Sequence, residues 1–289
     1  MTQYHLLIGD PSYSSWSLRG WLAFKAFDIP VTVTLTRFYE DGFADDLKPF
    51  APAKTVPVVK AVDGSIWSDS LTIIEELASR HPQAGLLPTD AVARAKARSL
   101  IAEMHSSFTA LRSLCPMNTR IAYSQSPLTE ALQKDLERLE ILWSIKDQTQ
   151  SPWLFERYSA ADAFFAPVAA RIAGYNLPVS HHAQEYVKAH LAHTPFRQFR
   201  AIGLTYAPQE VYKKDYPTID WPAPAPLKAR ACEAQAEDSL NQSCPYSGKP
   251  PHYFLEIDGK IIGFCNERCR DKTVIDPEAW PEFMALLAS

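Results

Sequence analysis

Apolar positions along this chain recur with two different periods. Near the N-terminus Tyr4 to Ile8 is a short apolar run, and Val31, Val33 and Leu35 alternate with other residues, so both segments read as strands. Between them Leu18, Trp21 and Leu22 fall at helical spacing behind Ser14 and Ser15, either of which suits an N-cap. Val56 to Trp67, broken by Asp63-Gly64, reads as a hairpin. Ser68-Asp69-Ser70 then opens a helix on which Leu71, Ile74 and Leu77 are apolar.

From about residue 88 the pattern is helical. Ile101, Met104, Phe108 and Leu111 form one stripe, and Leu132, Leu136, Leu139 and Trp143 form another, both expected to face a core. Ser159 followed three residues later by Asp162, ahead of Ala163-Phe164-Phe165, is a capping-box arrangement. Pro167 inside that helix is expected to bend it or to sit where no amide bond is lost. Pro217, Pro222, Pro224 and Pro226 mark a semi-rigid linker with little capacity for regular structure. Beyond it Tyr253 to Ile257 and Ile261 to Cys265 read as strands joined by an Asp258-Gly259 turn, and a helix starts near Cys269.

Three segments in fixed order carry a resemblance: Tyr13-Ser14-Ser15-Trp16-Ser17-Leu18-Arg19, Thr55-Val56-Pro57-Val58-Val59, and Ser68-Asp69-Ser70. Together they resemble the glutathione-binding half of glutathione transferases, closest to the serine-dependent zeta type that includes maleylacetoacetate isomerases. Trp16 stands where the zeta pattern has cysteine. The Ser-x-x-Asp signal at residues 159–162 is similar to one at the buried helix of the family's all-helical domain, where its role is folding. The resemblance covers roughly residues 4–215. It implies an α/β thioredoxin-like domain over residues 1–82, an all-α helical domain over 88–215, and an acceptor cleft between them. Residues 216–240 are then a Pro-rich linker.

The chemistry of such a site explains the residue types. A hydroxyl and N–H groups at a helix start favour an anion, so a glutathione thiolate there is preferred over the thiol, whose ordinary pKa is about 8.5. Ser14 is expected to donate a hydrogen bond to that sulfur, with Ser15 beside it. Val56 before Pro57 offers a strand edge for backbone pairing with the peptide-like ligand, and the family's proline here is cis. Ser70 and Asp69 are expected to hold the γ-glutamyl carboxylate and ammonium. His105 is expected to border the acceptor cleft, and Cys115 to be packing. The family resemblance also implies a homodimer.

Four of the five cysteines lie after residue 231. Cys244, Cys265 and Cys269, with Gly263-Phe264 before the second, resemble the small treble-clef domains called TRASH and YHS, which are tied to metal binding or sensing. The tail, residues 241–289, is thus expected to be an α+β metal-binding module. Three soft sulfurs suit Zn(II), or a softer metal such as Cu(I). A segment this short has little core, so a metal would supply folding energy. Where four-cysteine relatives have a second early cysteine, this chain has Ser247; His252, Asp271, Cys232 or water are the candidate fourth ligands.

Composition narrows the partners. A net charge of −4 and a pI near 6.1 give no electrostatic case for nucleic acid or an anionic membrane. No apolar run reaches the ~20 residues of a membrane span, and the first residues lack a signal pattern, so a cytoplasmic location is expected. An odd cysteine count in such a chain argues against a disulfide framework. The leading expectation is an enzyme that directs the glutathione thiolate at a small electrophile. One alternative is cis-trans isomerisation of a maleylacetoacetate-like diketoacid, with Arg112 or Arg120 for its carboxylates. Another is a non-catalytic glutathione-binding dimer scaffold with a metal-sensing tail.

Overall fold

The computed structural model describes residues 3–148 and 150–288. They fall into two units, Met1–Leu191 with Glu210–Pro222, and Ala192–Gln209 with Ala223–Ser289.

In the first unit the buried run β1 (Tyr4–Ile8) leads into α1 (Ser15–Lys25), which returns the chain to β2 (Thr32–Leu35), parallel to β1. After α2 (Phe43–Leu47), the antiparallel hairpin β3 (Val58–Ala61) and β4 (Ile66–Ser68) completes a sheet in the order β2-β1-β3-β4. Leu6 pairs with Val33 on one side and Val59 on the other, so the apolar run of β1 is an interior strand of the sheet. The hairpin begins at Val58, two residues after Val56, which instead packs in a cluster with Leu7, Leu47, Phe50 and Val58. α3 (Ser70–Arg80) packs on α1 and on the hairpin.

The helical part continues as α4 (Ala91–Ser106), α5 (Thr109–Leu114), β5 (Ala122–Tyr123), α6 (Glu130–Trp143), α7 (Ala160–Gly174) and α8 (His181–Ala192). The two-residue strand β6 (Thr218–Ile219) pairs with β5. The stripe from Ile101 to Leu111 is buried as expected but is not one helix. It breaks at Phe108, whose left-handed φ of 62° starts α5 on a new axis. α7 is buried on nearly every side and packs against α1 and α4, despite Pro167. Its start is fixed by Asp162, which accepts from the Ser159 N–H and hydroxyl, the Leu154 N–H and the Tyr186 hydroxyl, each within 3.0 Å.

The second unit comprises α9 (Thr194–Leu204), β7 (Arg230–Cys232), the hairpin β8 (Tyr253–Ile257) and β9 (Lys260–Phe264), α10 (Glu267–Ile275) and α11 (Pro281–Leu287). Asp258 and Gly259, both at positive φ, make the two-residue turn that the sequence signals. Leu255, Ile257, Ile262, Phe264, Trp280 and Phe283 form its core, with Ala201 of α9. Two differences from the sequence reading stand out. Arg230–Cys232, inside the expected linker, pairs with β8 as the sheet's third strand. α9 goes with the tail, held by Arg197 in a two-pronged ion pair with Asp276 at 2.6 and 2.9 Å. A partner 79 residues away is invisible to local patterning.

Candidate functional site

Ser14 is the N-cap of α1. Its hydroxyl accepts from the Ser17 N–H at 3.2 Å and donates to the Ser17 hydroxyl at 2.8 Å. The Ser17 hydroxyl in turn accepts from the Gly9 N–H at 2.9 Å, which ties the end of β1 to the start of the helix. A turn carries the chain between them, with the Tyr13 and Ser14 N–H groups donating to the Asp10 carbonyl. Ser15 is the first helical residue, so of the two caps that the sequence allows, the structure uses Ser14. Ser14 and Ser15 are each only 7% exposed. The Ser15 hydroxyl lies 3.4 Å from a guanidinium nitrogen of Arg171, on α7.

The Val56–Pro57 bond is cis. Pro57 lies against α1 at Gly20, where an added Cβ would stand 2.8 Å from the Pro57 Cβ, so the close approach admits only glycine. Asp69, at φ 78°, caps α3 by accepting from the Leu71 N–H at 2.7 Å. Its carboxylate is 3.7 Å from the His105 ring. The Ser70 hydroxyl is fully buried in the first turn of α3 and has no hydrogen-bond partner among the described residues. Helix starts at Ser14 and Asp69 and the cis-proline loop therefore belong to one unit, as the sequence order suggests.

Trp16 is enclosed by cations. The guanidinium of Arg19 lies 4.6 Å from its ring centroid and that of Arg112 4.8 Å, while the His105 ring approaches at a tilt, centroids 6.3 Å apart. Burial lowers the His105 pKa, reinforced by Arg19 and Arg112 and opposed by Asp69. Arg112 donates to the carbonyls of Met104 and His105. Arg120 stands by the loop before α1, 3.5 Å from the Ser12 hydroxyl. Sequence reasoning missed Arg19, Gly20 and Arg171. Arg19 lies in the recognised motif, but nothing local says that a charge there is buried.

In the second unit the sulfurs of Cys244, Cys265 and Cys269 all lie within 4.8 Å of one another. Cys244 sits in a tight turn, its carbonyl accepting from the Gly248 N–H at 2.9 Å. Cys265 immediately follows β9, and Cys269 projects from the first turn of α10, capped by Asn266. Asn266 and Ser247 each donate to the Cys265 sulfur, at 3.3 and 3.1 Å. Burial would raise the Cys244 pKa, but N–H groups of Cys265, Tyr246 and Ser247 and the Ser247 hydroxyl outweigh it and bring it to about 7. Cys269 is pushed up to about 12 by burial and its neighbouring thiols. Of the candidate fourth ligands, none joins this group among the described residues. Cys232 and His252 line a separate groove with Arg270, and Asp271 accepts from Arg270 at 2.7 Å. The polar side chains that do reach the cluster are Ser247 and Asn266. Cys115 is buried in the core, as expected.

Residues 13–80 match the model of the glutathione S-transferase N-terminal domain. The chain is 38% identical over 93 residues to a probable maleylacetoacetate isomerase 1 of Drosophila melanogaster, covering 32% of this chain and 37% of that protein. It is 37% identical over 103 residues to a probable maleylacetoacetate isomerase of Caenorhabditis elegans, covering 36% and 47%. The match thus spans about half, or less, of these relatives. Among solved structures, a glutathione transferase homolog from Burkholderia gl BGR1 with bound glutathione aligns at TM-score 0.52 and 21% identity, over 71% of this chain and 99% of that one. Glutathione transferase Omega 3C from Trametes versicolor aligns at TM-score 0.54 and 19% identity, over 74% and 93%. These likenesses establish the fold, thioredoxin-like plus helical, for about seven-tenths of the chain.

Proposed function

We propose that the chain is a glutathione-dependent enzyme of the serine-type, zeta-like class. It uses the α1 N-terminus to hold the glutathione thiolate and directs it at a small electrophile. The observation that carries this reading is the Ser14 cap, with its hydroxyl and the first N–H groups of α1 facing the same turn. Ser14 breaks its bond to Ser17 and donates to sulfur. The thiol proton leaves to solvent, and the thiolate forms a carbon–sulfur bond with the acceptor while the bond to the acceptor's leaving group breaks and that group departs with its electron pair. Ser15 lies beside Ser14, the segment Val56-Pro57 pairs with the ligand backbone, and Ser70 and Asp69 take the γ-glutamyl end. The Ser70 hydroxyl, unpartnered among the described residues, supports that assignment, because it can donate a hydrogen bond to a carboxylate there.

The named relatives favour a second reading, isomerisation of a maleylacetoacetate-type diketoacid. In that reaction the thiolate adds to the double bond, the resulting single bond rotates, and the thiolate leaves as the double bond reforms. Arg112 or Arg120 would meet the acceptor carboxylates. Calorimetry with glutathione, then turnover of a neutral aryl electrophile and of the diketoacid, separates the readings. No heat of binding would overturn both, and the scaffold reading with them.

The tail is proposed as a treble-clef-like module holding one Zn(II) through Cys244, Cys265 and Cys269. Three sulfurs within 4.8 Å fit a tetrahedral zinc site with one further position, next to Ser247. When bound, the ion would cross-link the turn, the hairpin and α10. The chain is also proposed to be a homodimer, which sedimentation at micromolar concentration tests by its mass.

A further inference from the structure

Arg19 is held in an unusual way for a charged residue. It is 0% exposed, and none of its three guanidinium nitrogens has a hydrogen-bond partner among the described residues. Its plane lies between two aromatic rings, Trp16 at 4.6 Å and Phe164 of α7 at 4.8 Å, so the rings support it while its N–H edges stay unmatched. An isolated buried charge is among the costliest groups a protein can hold. A guanidinium does not escape by losing its proton.

Its neighbours make the excess larger. Burial depresses the Arg19 pKa well below its ordinary value, and the like charges of Arg112 and Arg171 add to this, with Asp69 opposing. The hydrogen bonds of Arg112 and Arg171 go to carbonyls and to the Ser15 hydroxyl, the Arg112 Nε is itself unmatched among the described residues, and Asp135, which accepts from the Leu111 N–H, offsets Arg112 only through space. Asp69 is engaged in capping α3. His105, also facing this group, is biased toward its neutral form.

Position gives the charge a use. Arg19 lies four residues after Ser15 on α1, so the two share a face, and helical side chains lean toward the N-terminus. The Arg19 guanidinium interacts with Arg171, whose own guanidinium lies 3.4 Å from the Ser15 hydroxyl in the first turn of α1, so the pair adds to the positive end of the helix dipole. We propose that Arg19, flanked by Arg112 and Arg171, is a positioning residue that supplies the positive field for an anion at the α1 N-terminus. This rests on the glutathione reading for its first source of anion, the glutathione thiolate; the second source is a carboxylate of the acceptor.

Arg19→Met, which keeps the packing, and Arg19→Lys, which keeps the charge, test it. Bound glutathione is titrated by thiolate absorbance. The thiol pKa is expected to rise by about one unit in Arg19→Met and to recover largely in Arg19→Lys. If the acceptor is the source, the thiol pKa stays put and KM for an acidic electrophile rises about tenfold, while KM for a neutral one is unchanged. If wild-type protein binds no glutathione, the proposed function fails. The field is then read from thermal stabilisation by succinate, expected in wild type and lost in Arg19→Met. Should Arg19→Met not fold, Arg112→Met takes its place in the same measurements. Unchanged thiol pKa, unchanged KM values and unchanged succinate stabilisation, or rescue by Met rather than Lys, would reduce Arg19 to a packing element and overturn the proposal.

Discussion

Around Ser15 the groups that meet come from positions 156 residues apart, whereas the three thiols around Cys265 come from the single segment between Cys244 and Cys269. The first site is therefore held by a core assembled from distant segments: α7 is buried along its length, and its capping residue Asp162 satisfies four donors. The second is held by a turn, a hairpin and one helical turn over a small core. Three sulfurs brought this close repel one another once ionised, so local geometry alone is a weak support for them. Ligand removal should accordingly cost the first unit its activity and the second unit its fold.

The sharpest test of that contrast is Cys265→Ser. It should release the metal and expose residues 240–289 to protease, with cleavage at least about tenfold faster, while glutathione still binds. Elemental analysis finding no metal in protein purified without chelator, with the tail still resistant, breaks the contrast outright. Loss of glutathione binding along with the metal would instead mean that the two units act together.

Next in size is Asp162→Ala. Leaving four buried donors unmatched should cost about 3–5 kcal/mol and lower the melting temperature of the first unit by roughly 10 °C. A shift within about 2 °C would mean that the first unit does not depend on this residue. Ser14→Ala should leave the fold intact and slow turnover by about one to three orders of magnitude, because one donor to the thiolate is lost. An unchanged rate and thiolate absorbance would transfer the role to Ser15 or to the backbone amides.

The smallest effect concerns the second unit in acid. Burial lowers the His193 pKa to about 4 from an ordinary value of 6.5. The unfolded chain therefore binds the extra proton first. Stability is whole above pH 6.5 and falls as pH drops toward 4, by at most about 3 kcal/mol. His193→Gln should flatten the denaturation curve between those limits. A variant with the wild-type pH dependence would show that other groups carry the acid sensitivity.

Interactions between residues a few positions apart were legible in the chain before any folding was considered. Helix caps at Ser14, Asp69 and Ser159, the Asp258-Gly259 turn, and the spacing that brings Cys265 to Cys269 are all set by i to i+4 geometry, and each stands where that geometry puts it. The order of the three N-terminal segments was legible only through the resemblance to glutathione transferases, since they lie too far apart for local geometry to relate them. Tertiary packing decided the rest. It placed Arg171 against Ser15 and Arg197 against Asp276, drew α9 to the tail, made Arg230–Cys232 a strand, and broke the Ile101–Leu111 stripe at Phe108. It also buried Arg19, whose helical position is compatible with a solvated face. Whether a charge ends in water or between two aromatic rings depends on which helix packs over it, and that is settled by apolar surface far away in the chain.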